Sequence, residues 1–156
     1  MKTVASVTVP NPQTFRIGFD PRDTERLLTM WREVLTSHQW VEGKFTRLFE
    51  GQWAAWNGLP SVATSSWAGA AMACLEYFKM KGKRVLCPTN TFMATPLSVV
   101  KAGAEVVFGD CNREDLCLSY EAVVSAAQQH ELAAVWLVHI GGHLAFDTPR
   151  IAEFCR

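Results

Sequence analysis

The stretch VATSSWAGAAMACLEYF, residues 62–78, predicts the end of a strand, a turn with two serines and then a helix. Small residues crowd the start of this helix, as they do where a backbone approaches a phosphate. The free N–H groups and the dipole of a first helical turn favour an anion there. Ser65 or Ser66 would equally serve as an ordinary N-cap, so a cap and an anion site both remain open. Trp67, a very large side chain, stands in the same turn.

Strand and helix patterns alternate from residue 61 to residue 156. Predicted strands occupy 61–64, 84–88, 104–109 and 133–140, and predicted helices occupy 67–80, 92–102, 119–130 and 148–155. Gly82 and Gly103 follow predicted helices, and Ser119 and Asp147 are the predicted N-caps of the last two. This alternation predicts an α/β fold in three layers, α/β/α, with a mainly parallel sheet.

The first part of the chain has another organisation. Residues 1–20 predict an irregular arm, and a first helix is predicted after Asp23 and Thr24. A second helix follows from Phe45 and ends at Asn57-Gly58, because glycine suits the left-handed conformation at a helix C-terminus. We therefore expect an arm with two helices over residues 1–60, and the first part of an α/β domain over residues 61–156.

Composition limits the classes of function. The formal net charge is zero and no run of Lys and Arg stands out, which argues against nucleic-acid binding. Five cysteines without a CxxC pair argue against a disulfide framework and favour a reducing cytoplasm. No apolar run approaches the roughly 18 residues of a membrane helix. Hydrophobic residues make up 49% of the chain, so we expect more chain or a second subunit to cover part of its apolar surface.

Ligands bind outside the carboxyl ends of the strands in open α/β sheets. This rule selects the turns at residues 65–68, 88–92, 110–113 and 139–143. Phe92 is either a core residue at a helix start or a ring that stacks on a flat ligand beside residues 65–68. His139 and His143 have an HxxxH spacing, but Gly141-Gly142 between them predicts a loop, so we expect no metal site. The GxGxxG and GxxxxGK[ST] fingerprints do not occur.

Several segments together resemble the DegT/DnrJ/EryC1/StrS family of sugar aminotransferases. The similar segments are TSHQWVEGKFTRLFEGQWAAWNG (36–58), SSWAGAAMACLEYFKMKGKRVLCPTNTFMAT (65–95), KAGAEVVFGD (101–110) and VWLVHIGGHLAFDTPRIAEFC (135–155). They follow the order and spacing of the family's loop, helix and strand motifs.

The resemblance implies a pyridoxal 5′-phosphate enzyme on the fold-type-I aminotransferase scaffold. Most members transfer an amino group, commonly from glutamate, to a keto group of a nucleotide-linked sugar. It further implies that Ser66, Trp67 and Ala68 lie at the cofactor phosphate and that Phe92 stacks on the pyridine ring. Ser66 and Trp67 stand where the family usually has Gly and Thr. Trp67 therefore either covers a phosphate held by backbone amides, or fills the site of a protein that has lost the cofactor.

The resemblance also shows what this chain lacks. None of the six lysines stands at a position that matches the family's Schiff-base lysine: Lys2, Lys44, Lys79, Lys81, Lys83 and Lys101. The carboxylate for the pyridine nitrogen and the C-terminal domain would lie downstream of Arg156. We therefore expect the N-terminal, cofactor-cradling part of a cytoplasmic, homodimeric sugar aminotransferase, with no catalytic residue and no activity as this chain alone. The alternatives are a non-catalytic binding module of the same shape, or a deoxysugar dehydratase in which His replaces the lysine.

Overall fold

A computed structural model describes residues 18–156, so nearly all of the predicted arm over residues 1–20 lies outside the described residues. The chain divides into two compact units, of which the first ends at Ser61 and the second spans Val62–Arg156. The first unit contains helices α1 (Pro21–Ser37) and α2 (Lys44–Asn57). Helix α1 starts earlier than predicted, because Asp20 caps it and Pro21 fits its first turn. Gly58 ends α2 at φ 78°, as predicted.

The second unit is built on a three-stranded parallel sheet with the strand order β2-β1-β3. Its elements are α3 (Trp67–Tyr77), β1 (Arg84–Pro88), α4 (Ala94–Lys101), β2 (Glu105–Gly109), α5 (Tyr120–Gln129), β3 (Leu132–Val135), a 3-10 turn (Ile140–Gly142) and α6 (Thr148–Phe154). The central strand β1 pairs with both neighbours, so its two faces need covering by helices.

Helices cover both faces of the sheet. On one face, buried residues of α3, of the turn after it, of β1 and of α4 form a first core cluster: Leu75, Met80, Val85, Cys87 and Val99. On the other face, β1, α5 and α6 contribute to a second cluster of Leu86, Leu118, Val123, Ala126 and Ile151. The alternation of residues along β1 thus divides its side chains between two cores. The predicted three-layer α/β/α architecture is confirmed.

Two predicted strands differ from the structure. Residues 61–64 form no strand, because this segment pairs with no strand of the described chain. Instead, the Thr64 hydroxyl donates to the Ser66 carbonyl at 2.9 Å, which makes a local turn before α3. The strand predicted over 133–140 ends at Val135, and the chain then turns through Gly141 and Gly142 at φ 66° and 83°.

The two predicted N-caps behave differently. Ser119 caps α5 as predicted, since its hydroxyl accepts from the Ala122 amide at 3.2 Å. Asp147 precedes α6, but its carboxylate forms no capping hydrogen bond with that helix. Its Oδ2 accepts from the Tyr120 amide at 2.9 Å and from Asn112 Nδ2 at 3.1 Å. Asp147 is therefore the N-cap residue of α6 as predicted, and its carbonyl accepts from the Ile151 amide at 2.9 Å, but its carboxylate bonds the first amide of α5 instead of an amide of α6.

Many large apolar side chains are exposed on the described surface. They include Trp56, Val62 and Phe92, with exposed fractions of 77%, 85% and 73%. Exposed apolar area of this kind is typical of a surface that more chain or a second subunit covers. All five cysteines are free, and Cys87 and Cys117 are buried.

Within residues 18–156, none of the helices has the length and apolar character that a membrane crossing demands.

Gly109 lies where β2 meets α5, and we expect Gly109→Ala to destabilise the second unit. A Cβ atom at this position would stand 2.7 Å from Leu118 Cδ1 and 3.4 Å from Leu86 Cδ1. Both leucines are fully buried, so neither side chain has room to move aside. Overpacking of this kind costs about 1–3 kcal/mol of the free energy of unfolding, measurable by chemical denaturation.

The matched control for Gly109→Ala is Gly51→Ala in α2, where no atom lies within 4 Å of the added Cβ. This substitution should be neutral or stabilise by up to about 1 kcal/mol, because alanine favours a helix interior more than glycine does. A Gly109→Ala variant as stable as the native protein would contradict the close packing described.

Asp115 gives the fold a pH dependence. Its carboxylate is 2% exposed and accepts from the Phe146 amide at 2.7 Å and the Cys117 amide at 2.9 Å. These hydrogen bonds hold the pKa of Asp115 below its usual range, and the bond from the Phe146 amide has the largest effect. Because the folded pKa is depressed, the stabilisation is complete above the unfolded pKa of about 3.9 and is lost as pH falls through the folded pKa.

We expect Asp115→Asn to lower the free energy of unfolding at pH 7 by about 1–3 kcal/mol, because an amide NH₂ leaves a buried N–H donor without an acceptor. The difference from the native protein should shrink as pH falls below the usual range of an aspartate. Urea denaturation across a pH series measures both effects, with the exposed Glu131→Gln as control. A difference that stays constant down to low pH would rule out this role of the carboxylate.

Candidate functional site

The first turn of α3 combines a side-chain cap with free amides. Ser66 Oγ accepts from the Gly69 amide at 3.1 Å, and the Ser66 carbonyl accepts from the Ala70 amide at 3.2 Å. The predicted capping role of Ser66 is therefore confirmed. The amides of Trp67 and Ala68 have no acceptor among the described residues, as is normal for the first positions of a helix. The terminus thus remains able to bind an anion while Ser66 caps it.

Trp67 contacts a second tryptophan. The centroids of the Trp67 and Trp136 rings lie 5.4 Å apart with a tilt of 55° between the planes. Trp136 follows β3 directly, and its amide donates to the Leu86 carbonyl at 2.7 Å, which continues the pairing with β1. The start of α3 therefore lies beside the carboxyl end of β3, the edge at which parallel α/β sheets bind ligands.

Phe92 lies in the loop between β1 and α4. Its carbonyl accepts from the Thr95 amide at 3.0 Å, and the ring is 73% exposed. The interpretation of Phe92 as a core residue is therefore wrong for the described chain, because the helix starts only at Ala94 and the ring precedes it. No hydrogen bond or aromatic contact joins Phe92 to Ser66, Trp67 or Ala68 within residues 18–156. The helices that follow these positions, α3 and α4, pack against each other.

Hydrogen bonds join the loops that follow the three strands. Asn90 Nδ2 donates to the Leu116 carbonyl at 3.0 Å, which links the loops after β1 and β2. The Asp115 carboxylate accepts from the Phe146 amide, which links the loops after β2 and β3. These contacts cross between loops far apart in sequence, so the carboxyl edge of the sheet is held together in one arrangement.

His139 and His143 have the HxxxH spacing for which the sequence predicts no metal site. The Ala145 amide donates to His139 Nδ1 at 3.2 Å, and His143 Nε2 lies 2.7 Å from the Asp115 carbonyl. Both rings therefore take part in holding the loop between β3 and α6. In the described part of the chain, no group of three or more His, Cys, Asp or Glu side chains is arranged to hold a metal ion.

Cys117 Sγ lies 3.6 Å from His143 Nε2, a pairing that in other settings activates a thiol. Here the thiol is 1% exposed, and burial raises its pKa. A buried thiol with a raised pKa is a poor nucleophile. Cys117 is therefore a packing residue of the loop before α5.

Trp136 is the residue at this edge that sequence reasoning missed. The pattern of residues 133–140 placed it inside a longer strand, with no role of its own. Strand alternation puts Trp136 and Ala134 on the same face, against the first core cluster. The available signal was a large aromatic residue close to the end of an apolar run.

Known proteins resemble this chain in sequence and in fold. Residues 21–156 match the DegT/DnrJ/EryC1/StrS aminotransferase family. The fold is similar to a DegT DnrJ EryC1 StrS aminotransferase from Brucella abortus, at 24% identity and a TM-score of 0.77, over 85% of this chain and 38% of that one. It is also similar to the aminotransferase TlmJ from Streptoalloteichus hindustanus, at 27% identity and a TM-score of 0.74, over 83% and 36%.

A third similar structure is an E. coli GDP-4-keto-6-deoxy-D-mannose-3-dehydratase with bound hydrated PLP. Its identity is 20% and its TM-score 0.61, over 71% of this chain and 30% of that one. The chain thus spans only 30% to 38% of the length of these three solved structures. Because the match covers nearly the whole of the described sequence, the chain belongs to the DegT/DnrJ/EryC1/StrS aminotransferase family.

Proposed function

We propose that this chain is the N-terminal, cofactor-cradling part of a pyridoxal-phosphate-dependent aminotransferase that acts on a nucleotide-linked keto sugar. The observation that carries the proposal is the first turn of α3, where Ser66 caps the helix and the amides of Trp67 and Ala68 have no acceptor within residues 18–156. This turn lies beside the carboxyl end of β3. Membership of an aminotransferase family supports the reaction class.

The phosphate group fits this turn. Two free amides and the positive end of a helix dipole attract a phosphate whatever side chains stand beside them. The Ser66 hydroxyl accepts from Gly69, which leaves its own proton for donation to a phosphate oxygen. Trp67 has no hydroxyl, so its backbone amide and not its side chain is proposed to bind the phosphate. In the proposed site, Ser66, Trp67 and Ala68 bind the phosphate.

In the proposed site, the Phe92 side chain stacks on the pyridine ring of the cofactor. Its exposed side chain offers a flat apolar face in the loop that follows β1. Pyridoxal phosphate, when bound, supplies the electron sink for amino-group transfer. The contribution of this chain is to bind the phosphate and to orient the ring against Phe92, on an edge whose loops are already joined by hydrogen bonds. No residue of the chain is proposed to move a proton.

The wider setting of the site is part of the same proposal. The amino donor is an amino acid, and the complete enzyme is a homodimer of the cytoplasm. The proposed domains are an arm with two helices (1–60) and the first part of the cofactor-binding domain (61–156). The chain alone is proposed to be inactive, because none of its lysines matches the position that the family uses.

The second candidate function is that of a deoxysugar dehydratase. A dehydratase is among the structures of similar fold. Sequence downstream of Arg156 separates the two functions, because the dehydratase would carry His where the aminotransferase carries Lys. A protein that binds no cofactor at all would instead favour a non-catalytic binding module.

Trp67→Thr distinguishes a phosphate clamp from a plug. If the amides carry the binding, the native complete protein should bind pyridoxal phosphate, and Trp67→Thr should change its affinity by no more than about a hundredfold, roughly 2.7 kcal/mol. One hydrogen bond to a charged phosphate is worth about 1.5–3 kcal/mol, which sets this limit. Spectroscopic titration with pyridoxal phosphate measures the affinity. Tight binding by Trp67→Thr with none by the native protein would identify Trp67 as a plug.

Phe92→Ala tests the proposed ring contact in the complete enzyme. Loss of a stacked ring should weaken pyridoxal phosphate binding by about 1–2 kcal/mol, and Phe92→Trp should keep the native affinity. The matched control is Phe78→Ala, because Phe78 is 62% exposed but stands at the opposite end of α3. If Phe92→Ala lowers thermal stability equally with and without cofactor and leaves the affinity unchanged, Phe92 does not touch the cofactor.

A further inference from the structure

Trp67 and Trp136 are held to different degrees. Trp136 has its amide bonded to the Leu86 carbonyl, and its side chain packs against the first core cluster. Trp67 is 50% exposed, at the first residue of α3. The Trp67 ring contacts the ring of Trp136. The position of the Trp136 ring therefore determines that of the more exposed Trp67 ring.

The contact places the Trp67 indole to one side of the helix terminus. Trp136 belongs to the face of the sheet on which α3 packs, because Leu75 of α3 lies in the same cluster. An indole in contact with Trp136 therefore lies on the side of α3 that faces the sheet. The free amides of Trp67 and Ala68 point along the helix axis instead. A Trp67 ring in contact with Trp136 is thus directed toward the sheet, whereas the amides open along the helix axis.

We propose that Trp136 is a positioning residue, which holds the Trp67 indole against the sheet and so keeps the terminus of α3 open to a phosphate group. The phosphate rests on the proposed function, whereas the contact between the two rings does not. Without Trp136, the Trp67 ring would sample other rotamers, including those that cover the amides. The side chain that replaces a hydroxyl at this turn would then obstruct the site.

The first measurement concerns the rings alone and needs no cofactor. Two tryptophans in contact give an exciton couplet in the far-ultraviolet circular dichroism spectrum. We expect Trp67→Phe and Trp136→Phe each to remove the same couplet from the spectrum of the complete protein. The matched control is Trp53→Phe, which should leave this couplet in the spectrum. Trp53 pairs with Trp56 instead, with ring centroids 5.0 Å apart and 46° between the ring planes. A couplet that survives Trp136→Phe would overturn the proposal.

The second measurement is a double-mutant cycle with pyridoxal phosphate and with pyridoxal, which lacks the phosphate. Trp136→Ala should weaken pyridoxal phosphate binding by up to about tenfold, the scale of an aromatic pair, and should change pyridoxal binding less. In the Trp67→Thr background, Trp136→Ala should have no further effect, because no indole remains to be positioned. Trp136→Phe, which keeps a ring against the first core cluster, should restore most of the affinity.

The possible outcomes separate the two proposals. An equal loss of pyridoxal phosphate affinity from Trp136→Ala in the native and the Trp67→Thr backgrounds would show a purely structural role and overturn the inference. A native protein that binds no pyridoxal phosphate would overturn the proposed function. In that case the couplet still decides whether Trp136 holds Trp67.

Discussion

The burial of β1 on both faces is the constraint on which the second unit depends. A strand paired in parallel with two neighbours has no face left for water, so helices must cover both sides. Val85 and Cys87 enter one core and Leu86 enters the other, each fully buried. The same parallel direction brings the ends of all three strands to one edge. The start of α3 and the loop of Phe92 therefore lie at the same edge of the sheet.

Buried carboxylates hold that edge together. Asp115 and Asp147 lie in different loops, and each accepts a backbone amide from a segment far away in sequence. Loops cannot satisfy such amides with regular secondary structure, so a buried acceptor is needed. The bonds depress the pKa of both carboxyl groups, chiefly through the Phe146 amide for Asp115 and the Tyr120 amide for Asp147. A site built on loops thereby gains a fixed frame.

The turn at Trp67 shows how the backbone and the side chain of one residue can have separate tasks. The amides at a helix start attract an anion through geometry and dipole, and these do not depend on the side chain. The side chain is then free to meet another requirement, which here is contact with Trp136. A family turn can therefore carry an unusual residue without losing the backbone feature that serves the cofactor in the proposed function.

The sequence by itself determined the three-layer architecture, most helices, the Ser66 and Ser119 caps and the family, because these follow from local periodicity, capping chemistry and ordered motifs. It placed residues 61–64 in a strand wrongly, since an extended segment becomes a strand only where a partner pairs with it. Only the tertiary structure decided that the Asp147 carboxylate bonds the first amide of α5, that Phe92 is exposed and that Trp67 contacts Trp136. Each of these depends on segments distant in sequence, whose approach no local pattern encodes.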